Sequence, residues 1–268
     1  MNRETLTDRW ALILGASSGF GAATARALAT AGMNIFGVHL DLKATLPRVQ
    51  AVIADIEAAG RKAVFFNTNA ADARKRARVV NKIQQTLAQE PVDQIHFMLH
   101  SLAFGSLRPF IADDPEEATT EAQMDMTLRV MAHSLVYWVQ DLVRGGLLGR
   151  GSRIYALSSS GAERVAPMYG AVSAAKAALE SHTRQLAIEL GPYGIAVNCL
   201  RPGVTDTPAL RAIPGHETYV AEALKRNPAG RLTTTEDVAN VLVALADPAV
   251  TWISGAVIPV DAGEIIVG

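Results

Sequence analysis

The chain has 268 residues, 49% of them hydrophobic and 19% charged, with a formal net charge of -1. That balance suits one large soluble domain with a well-buried core and excludes the global basic field that nucleic acid or an anionic membrane would require. The single cysteine, Cys199, excludes an intramolecular disulfide and a cysteine-rich zinc site, and it fits a reducing cytosol.

The N-terminal stretch MNRETLTDRW is polar and lacks the apolar core of a signal peptide. No run of about eighteen apolar residues predicts a transmembrane helix, so the expected location is cytoplasmic. Seven short apolar runs read as buried strands: WALILG, NIFGVHL, KAVFFN, QIHFML, RIYALS, IAVNCL and GAVIPV. Between them AATARALATAG, LPRVQAVIADIEAAG and SAAKAALESHTRQLAIEL carry helical spacing. This alternation predicts an α/β fold, a Rossmann-like doubly wound single domain over residues 1–268. Its sheet has about seven parallel strands with helices on both faces. Ligands of such sheets collect at the carboxyl ends of the strands.

Two stretches break the alternation. IADDPEEATTEAQ, residues 111–123, reads as a surface loop leading into a helix; its Asp113, Asp114, Glu116 and Glu117 are a solvated acidic face. Residues 206–232, between the sixth and seventh strands, carry three prolines and short amphipathic pieces, the pattern of a substrate lid.

Directly after the first strand comes GASSGFG, followed at once by a helix-forming run. Glycines there let the backbone turn tightly and approach a pyrophosphate, while the helix N-terminus offers orphan N–H donors. Gly15, Ser17, Ser18, Gly19, Phe20 and Gly21 are the candidate contacts to a dinucleotide. The second strand ends in HLDLKA, where an acid would bind a ribose 2′-hydroxyl. Asp41 lies twenty residues after Gly21, His39 stands slightly earlier, and Lys43 is close enough to meet a 2′-phosphate. An acid and bases together leave NAD(H) possible, with NADP(H) preferred.

His96, His100 and His133 have no metal-ligand spacing, and no metal is expected. Tyr137 and Trp138 sit in a helical apolar run and read as core or interface. In MYGAVSAAKAALE, Tyr169 and Lys176 are seven positions apart, nearly two helical turns, so they can share a face.

Taken in order, GASSGFG, LHSLAFG, SSSGAERVAPMYGAVSAAKAALE and LRPGVTDTPAL resemble the short-chain dehydrogenase/reductase superfamily, over nearly the whole chain. The tyrosine–x6–lysine spacing and HSLAFG are similar, more narrowly, to the enoyl-acyl-carrier-protein reductases of bacterial fatty-acid synthesis. The resemblance implies a catalytic set of Tyr169, Lys176 and Ser159. It also implies cofactor contacts at Asn69 and Ala70, at Ser101, Leu102 and Ala103, and at Pro202, Gly203, Thr205 and Thr207. The threonines read equally well as turn formers. A homotetramer is implied, as is an enoyl substrate carried on acyl carrier protein or CoA.

The familiar tyrosine–lysine ketone reductases of the superfamily space the pair by four, and four before Lys176 stands Val172. The helix asparagine of their proton relay has its counterpart here in Arg129. A tyrosine three residues earlier on a helix is displaced by about 4.5 Å. That displacement suits conjugate reduction, where hydride reaches the β-carbon and charge develops on a carbonyl oxygen three bonds away. The expected reaction is NAD(P)H-dependent reduction of a trans-2-enoyl thioester, with the Lys176 charge favouring the tyrosinate. A ketone or hydroxysteroid dehydrogenase and a non-catalytic cofactor-sensing protein are the alternatives.

Overall fold

Runs that are apolar on both faces become strands only where both faces are covered. In the computed structural model, which describes residues 3–267, all seven runs are strands; the five inner ones are almost wholly buried, and the two at the edges of the sheet are partly exposed. The strands are β1 (Trp10–Leu14), β2 (Asn34–His39), β3 (Ala63–Asn67), β4 (Ile95–His100), β5 (Arg153–Leu157), β6 (Ala196–Pro202) and β7 (Val257–Val260). They form one parallel sheet in the order β3-β2-β1-β4-β5-β6-β7. The direction of winding reverses between β1 and β4. This opens a crevice at their carboxyl ends, where the glycine loop and Ser101 lie.

The helices are α1 (Gly19–Thr30), α2 (Leu46–Ala58), α3 (Ala73–Leu87), α4 (Glu121–Leu128), α5 (Ser134–Arg144), α6 (Gly170–Leu190), α7 (Pro208–Arg211), α8 (His216–Arg226) and α9 (Thr235–Leu245). A π turn, Arg129–His133, separates α4 from α5. The polar interruption before α4 ends in a capping box, Thr120 with Gln123. Residues 206–232 fold into α7 and α8.

Each face of the sheet has its own apolar layer. Trp10, Phe36, Met98, Trp138 and Leu179 belong to one; Ile13, Leu28, Phe97, Tyr155 and Leu242 to the other. Trp10 stacks on Phe36 at 4.1 Å. Trp138 is core, with its indole N–H bonded to the Ala70 carbonyl at 2.9 Å. Cys199 is buried, and burial pushes its thiol up to about 12. Among the described residues no helix is long and apolar enough to cross a membrane. None of them form a group of three or more His, Cys, Asp or Glu able to hold a metal.

Beneath the carboxyl end of β5 a polar clamp joins three elements. The Glu180 carboxylate on α6 accepts from Ser158 Oγ at 2.5 Å and from the Arg201 guanidinium on β6 at 3.0 Å. Both charged side chains are less than a tenth exposed. The same guanidinium also donates to the Glu163 carboxylate at 2.8 Å, so removing the Glu180 carboxylate leaves Arg201 one exposed partner, and Glu180→Ala is expected to cost about 1–3 kcal/mol of unfolding free energy. Urea denaturation measures it; a loss below about 1 kcal/mol would mean that the Glu163 pair is enough to hold Arg201.

Candidate active site

The glycine loop is shaped by close approaches that a side chain would block. Gly15 has φ +91°, and a Cβ there would fall 2.4 Å from the Ser101 carbonyl oxygen. A Cβ on Gly21 would fall 2.0 Å from the Gly15 carbonyl oxygen. The loop therefore folds onto itself and onto the end of β4, leaving backbone at the mouth of α1. Ser18 caps α1 in an extended conformation without a side-chain bond, so the first-turn N–H groups stay available to an anion. These residues fit a dinucleotide pyrophosphate. Phe20, next in the loop, packs partly against the core.

Asp41 faces the same loop. Burial raises its carboxyl, but hydrogen bonds from Thr45, Ser17 and His39 outweigh this and hold it below the usual carboxylate value. His39 Nδ1 lies 3.0 Å from Asp41 Oδ2, and Asn67 brackets the Asp41 backbone from β3. An ionised carboxylate so placed accepts from a ribose 2′-hydroxyl and repels a 2′-phosphate. Lys43 is exposed.

The other expected contacts divide. Ser101 continues β4 by bonding its N–H to the Leu14 carbonyl at 2.9 Å, with Leu102 and Ala103 following. Asn69 folds its side chain back on the Ala71 N–H, and Ala70 is buried under Trp138. Gly203 follows Pro202 at the end of β6 and packs against the Thr233 hydroxyl and the Glu264 carboxylate. Thr205 and Thr207 are turn formers: one hydroxyl donates to the Gly203 carbonyl, the other caps α7. Thr207 also lies against Gly19, which brings the β6 loop to the glycine loop.

The candidate chemistry sits at the end of β5. Lys176 is buried and its Nζ donates to the Leu157 carbonyl at 2.6 Å. Burial lowers the ammonium to about 8. Two residues past Leu157, Ser159 Oγ accepts from the Gly161 N–H at 3.1 Å and lies 3.4 Å from the Tyr169 hydroxyl, a long contact. Tyr169 differs from the expectation of a helical residue. It caps α6, preceded by Met168 at φ +60°, so the shared-face geometry is replaced by a turn that lays the ring on Gly161. A Cβ on Gly161 would stand 2.4 Å from Tyr169 Cε1.

Two further expectations are corrected. The Lys176 charge does not favour the tyrosinate here: burial raises the Tyr169 hydroxyl, and the Ser159 contact offsets this only in part. Arg129 lies in the π turn with its side chain exposed, and the inward residue of that turn is Met131. Val172, in the four-residue register, is buried with Met131 and Ala175, and Leu107, Leu128, Val130 and Tyr169 pack around them. That register is core. His100, close by, is buried and neutral, lowered to about 3 by burial and then by the Lys176 charge, and its Nε2 meets Ser134 Oγ at 2.8 Å. Gly161, Gly170 and the Glu180–Arg201 clamp escaped the sequence reading. Their only signals are a small residue beside the tyrosine and an acid inside an apolar helix.

Comparison with known proteins comes from several directions. A family described as Enoyl-(Acyl carrier protein) reductase matches residues 15–264. The chain is 29% identical to a cyclohexanol dehydrogenase of Rhodococcus sp. (strain TK6), covering 96% of each protein. It is 31% identical to an NADH enoyl-[acyl-carrier-protein] reductase of Aquifex aeolicus (strain VF5), over 67% of this chain and 66% of that one. Among solved structures, a short-chain dehydrogenase from Burkholderia cenocepacia J2315 in complex with NADP superimposes with a TM-score of 0.81 at 29% identity, covering 97% of this chain and 99% of that one.

The Lys176 ammonium, which the family resemblance assigns to the nicotinamide ribose, loses its charge as pH rises through about 8 rather than through the usual lysine value. Dinucleotide affinity is therefore expected to fall above pH 8 along a single ionisation. Binding titrations between pH 6 and 10 measure this, and Lys176→Met should flatten the profile.

Proposed function

The chain belongs to the short-chain dehydrogenase/reductase superfamily of oxidoreductases, and from that premise we propose that it reduces the 2,3 double bond of a 2-enoyl thioester. The observation that carries this reading is the burial of Val172 with Tyr169 as the reachable hydroxyl. Relatives of both kinds, an alcohol dehydrogenase and an enoyl reductase, match this chain at about equal identity, 29% and 31%, so the reading has to come from the site itself.

Residues 15–21, Asp41, the start of the β4 loop and Lys176 would hold a nicotinamide dinucleotide, which supplies the hydride when bound. Tyr169 then donates to the thioester oxygen, three bonds from the carbon that accepts the hydride, and stabilises the enolate as an oxyanion-hole donor. Its raised hydroxyl supports this role: it stays protonated at neutral pH, ready to donate, and resists serving as the base that alcohol oxidation needs. Ser159 orients the same oxygen. Next to the tyrosine in the chain stand Met168, exposed, and Gly170, on which the exposed Phe110 ring rests, and this apolar surface suits an acyl chain. Residues 206–232, with α7 and α8, would close over that chain as a lid, and an acyl carrier protein or CoA would present it.

Ketone reduction is the second reading. It is favoured by the Tyr169–Ser159 contact and by the full-length likeness to alcohol dehydrogenases. For the cofactor, Asp41 supports NAD(H) over NADP(H), against the preference drawn from the sequence; superfamily neighbours carry either.

With crotonyl-CoA the wild type is expected to oxidise NADH, and Tyr169→Phe to lose about 100-fold or more in kcat. Turnover of acetoacetyl-CoA alone would replace this reading with ketone reduction. Asp41→Ser is expected to lower the NADH over NADPH preference in kcat/KM by about tenfold, the scale of one lost hydrogen bond to a charged group; a wild type already selective for NADPH would reverse the cofactor assignment.

A further inference from the structure

The residue that follows Tyr169 has no side chain, and an aromatic ring occupies the place where one would be. A Cβ on Gly170 would fall 2.6 Å from Phe110 Cζ and 2.8 and 2.9 Å from the two Cε atoms. Three ring carbons inside van der Waals distance mean that the ring rests on the Gly170 backbone. Any other residue at position 170 must push it away by about 1 Å to reach ordinary carbon–carbon separation.

Phe110 belongs to the loop between β4 and α4, and that loop is well anchored elsewhere. The Ser106 N–H bonds to Thr127 Oγ1 at 2.9 Å, and Gly105 lies against Thr127 and Val172. Arg108 holds the Glu116 carbonyl at 2.6 Å, and its own carbonyl accepts from Thr119 Oγ1. The ring is thus delivered to one place, over the backbone of the residue that follows Tyr169, and is still 52% exposed. The loop before α6 carries Val165 and Met168, also exposed. A half-exposed phenylalanine fixed by a glycine contact offers a ligand apolar surface in one set position.

We propose that Phe110 is the specificity-determining wall of the substrate site and that Gly170 is the positioning residue that sets it against Tyr169. The proposal rests on the reading of Tyr169 as donor to a substrate carbonyl oxygen. With the ring in place, the space beside the hydroxyl admits a flat, unbranched acyl group and turns away a bulky ring carried on the same carbonyl. Moving the ring outward by a methyl group's width reverses that preference.

The test compares crotonyl-CoA with cyclohex-1-ene-1-carbonyl-CoA in wild type, Gly170→Ala, Phe110→Ala and the double variant. Each single variant is expected to raise the kcat/KM ratio of the cyclic over the linear thioester by about tenfold or more, the effect of a methyl-sized change in a pocket. The double variant should go no further than Phe110→Ala alone, since both changes act through one ring. A proportionate loss on both thioesters, with the ratio unchanged, would overturn the proposal. Hydrogen exchange over residues 104–119 gives a readout without substrate. It should quicken in Gly170→Ala, and an unchanged rate would remove Gly170 from the assignment. If the wild type reduces ketones instead, the same ratio is read with cyclohexanone over butanone, so the reaction class can fail while the wall stands.

Discussion

Lys176 reaches from the second turn of α6 to the Leu157 carbonyl at the end of β5, 2.6 Å away and out of contact with water. A buried ammonium must be hydrogen-bonded, and this bond fixes both the depth and the rotation of α6 on the sheet. Much of the rest of the site follows from it. Ser159 stands two residues beyond Leu157, and Tyr169 seven residues before Lys176, so one contact brings the hydroxyl pair together. The Glu180 clamp, one turn further along α6, locks the same helix to β5 and β6 from below.

Around that anchor the site is shaped as much by missing side chains as by present ones. Gly161 leaves room for the Tyr169 ring, Gly170 for Phe110, and Gly105 lets the β4 loop settle on Val172. Val172 in turn fills the register that ketone reductases of the superfamily give to their tyrosine. The apolar cluster and the displaced hydroxyl are two sides of one arrangement: Val172 packs into the near position, and the Tyr169 ring lies against the same cluster from the turn before α6.

The cofactor end obeys a different logic, that of backbone and charge. Gly15 and Gly21 bring main chain to main chain, which clears the mouth of α1 for an anion. Asp41, tied down by Thr45, Ser17 and His39, keeps a negative charge next to that positive helix end. Opposite charges are therefore linked through the glycine loop, where Ser17 bonds the Asp41 carboxylate.

The seven strands were legible in the chain because burial on both faces leaves continuous apolar runs, and the glycine loop because only glycine tolerates those approaches. That the four-residue register holds no hydroxyl was legible too, since Val172 has no proton to give. What the chain alone could not decide is anything set by contacts between distant segments. Tyr169 leaves the helix because Met168 turns to φ +60°, a turn that the spacing of Tyr169 and Lys176 does not reveal. The Tyr169 hydroxyl is raised because burial around it outweighs its one polar contact, and burial is a property of the packed fold. Phe110 meets Gly170 across sixty positions of sequence, and periodicity carries no information about such a meeting. Local pattern determined the elements and the chemistry on offer; tertiary packing decided which groups touch, because distance and desolvation exist only once the chain has folded.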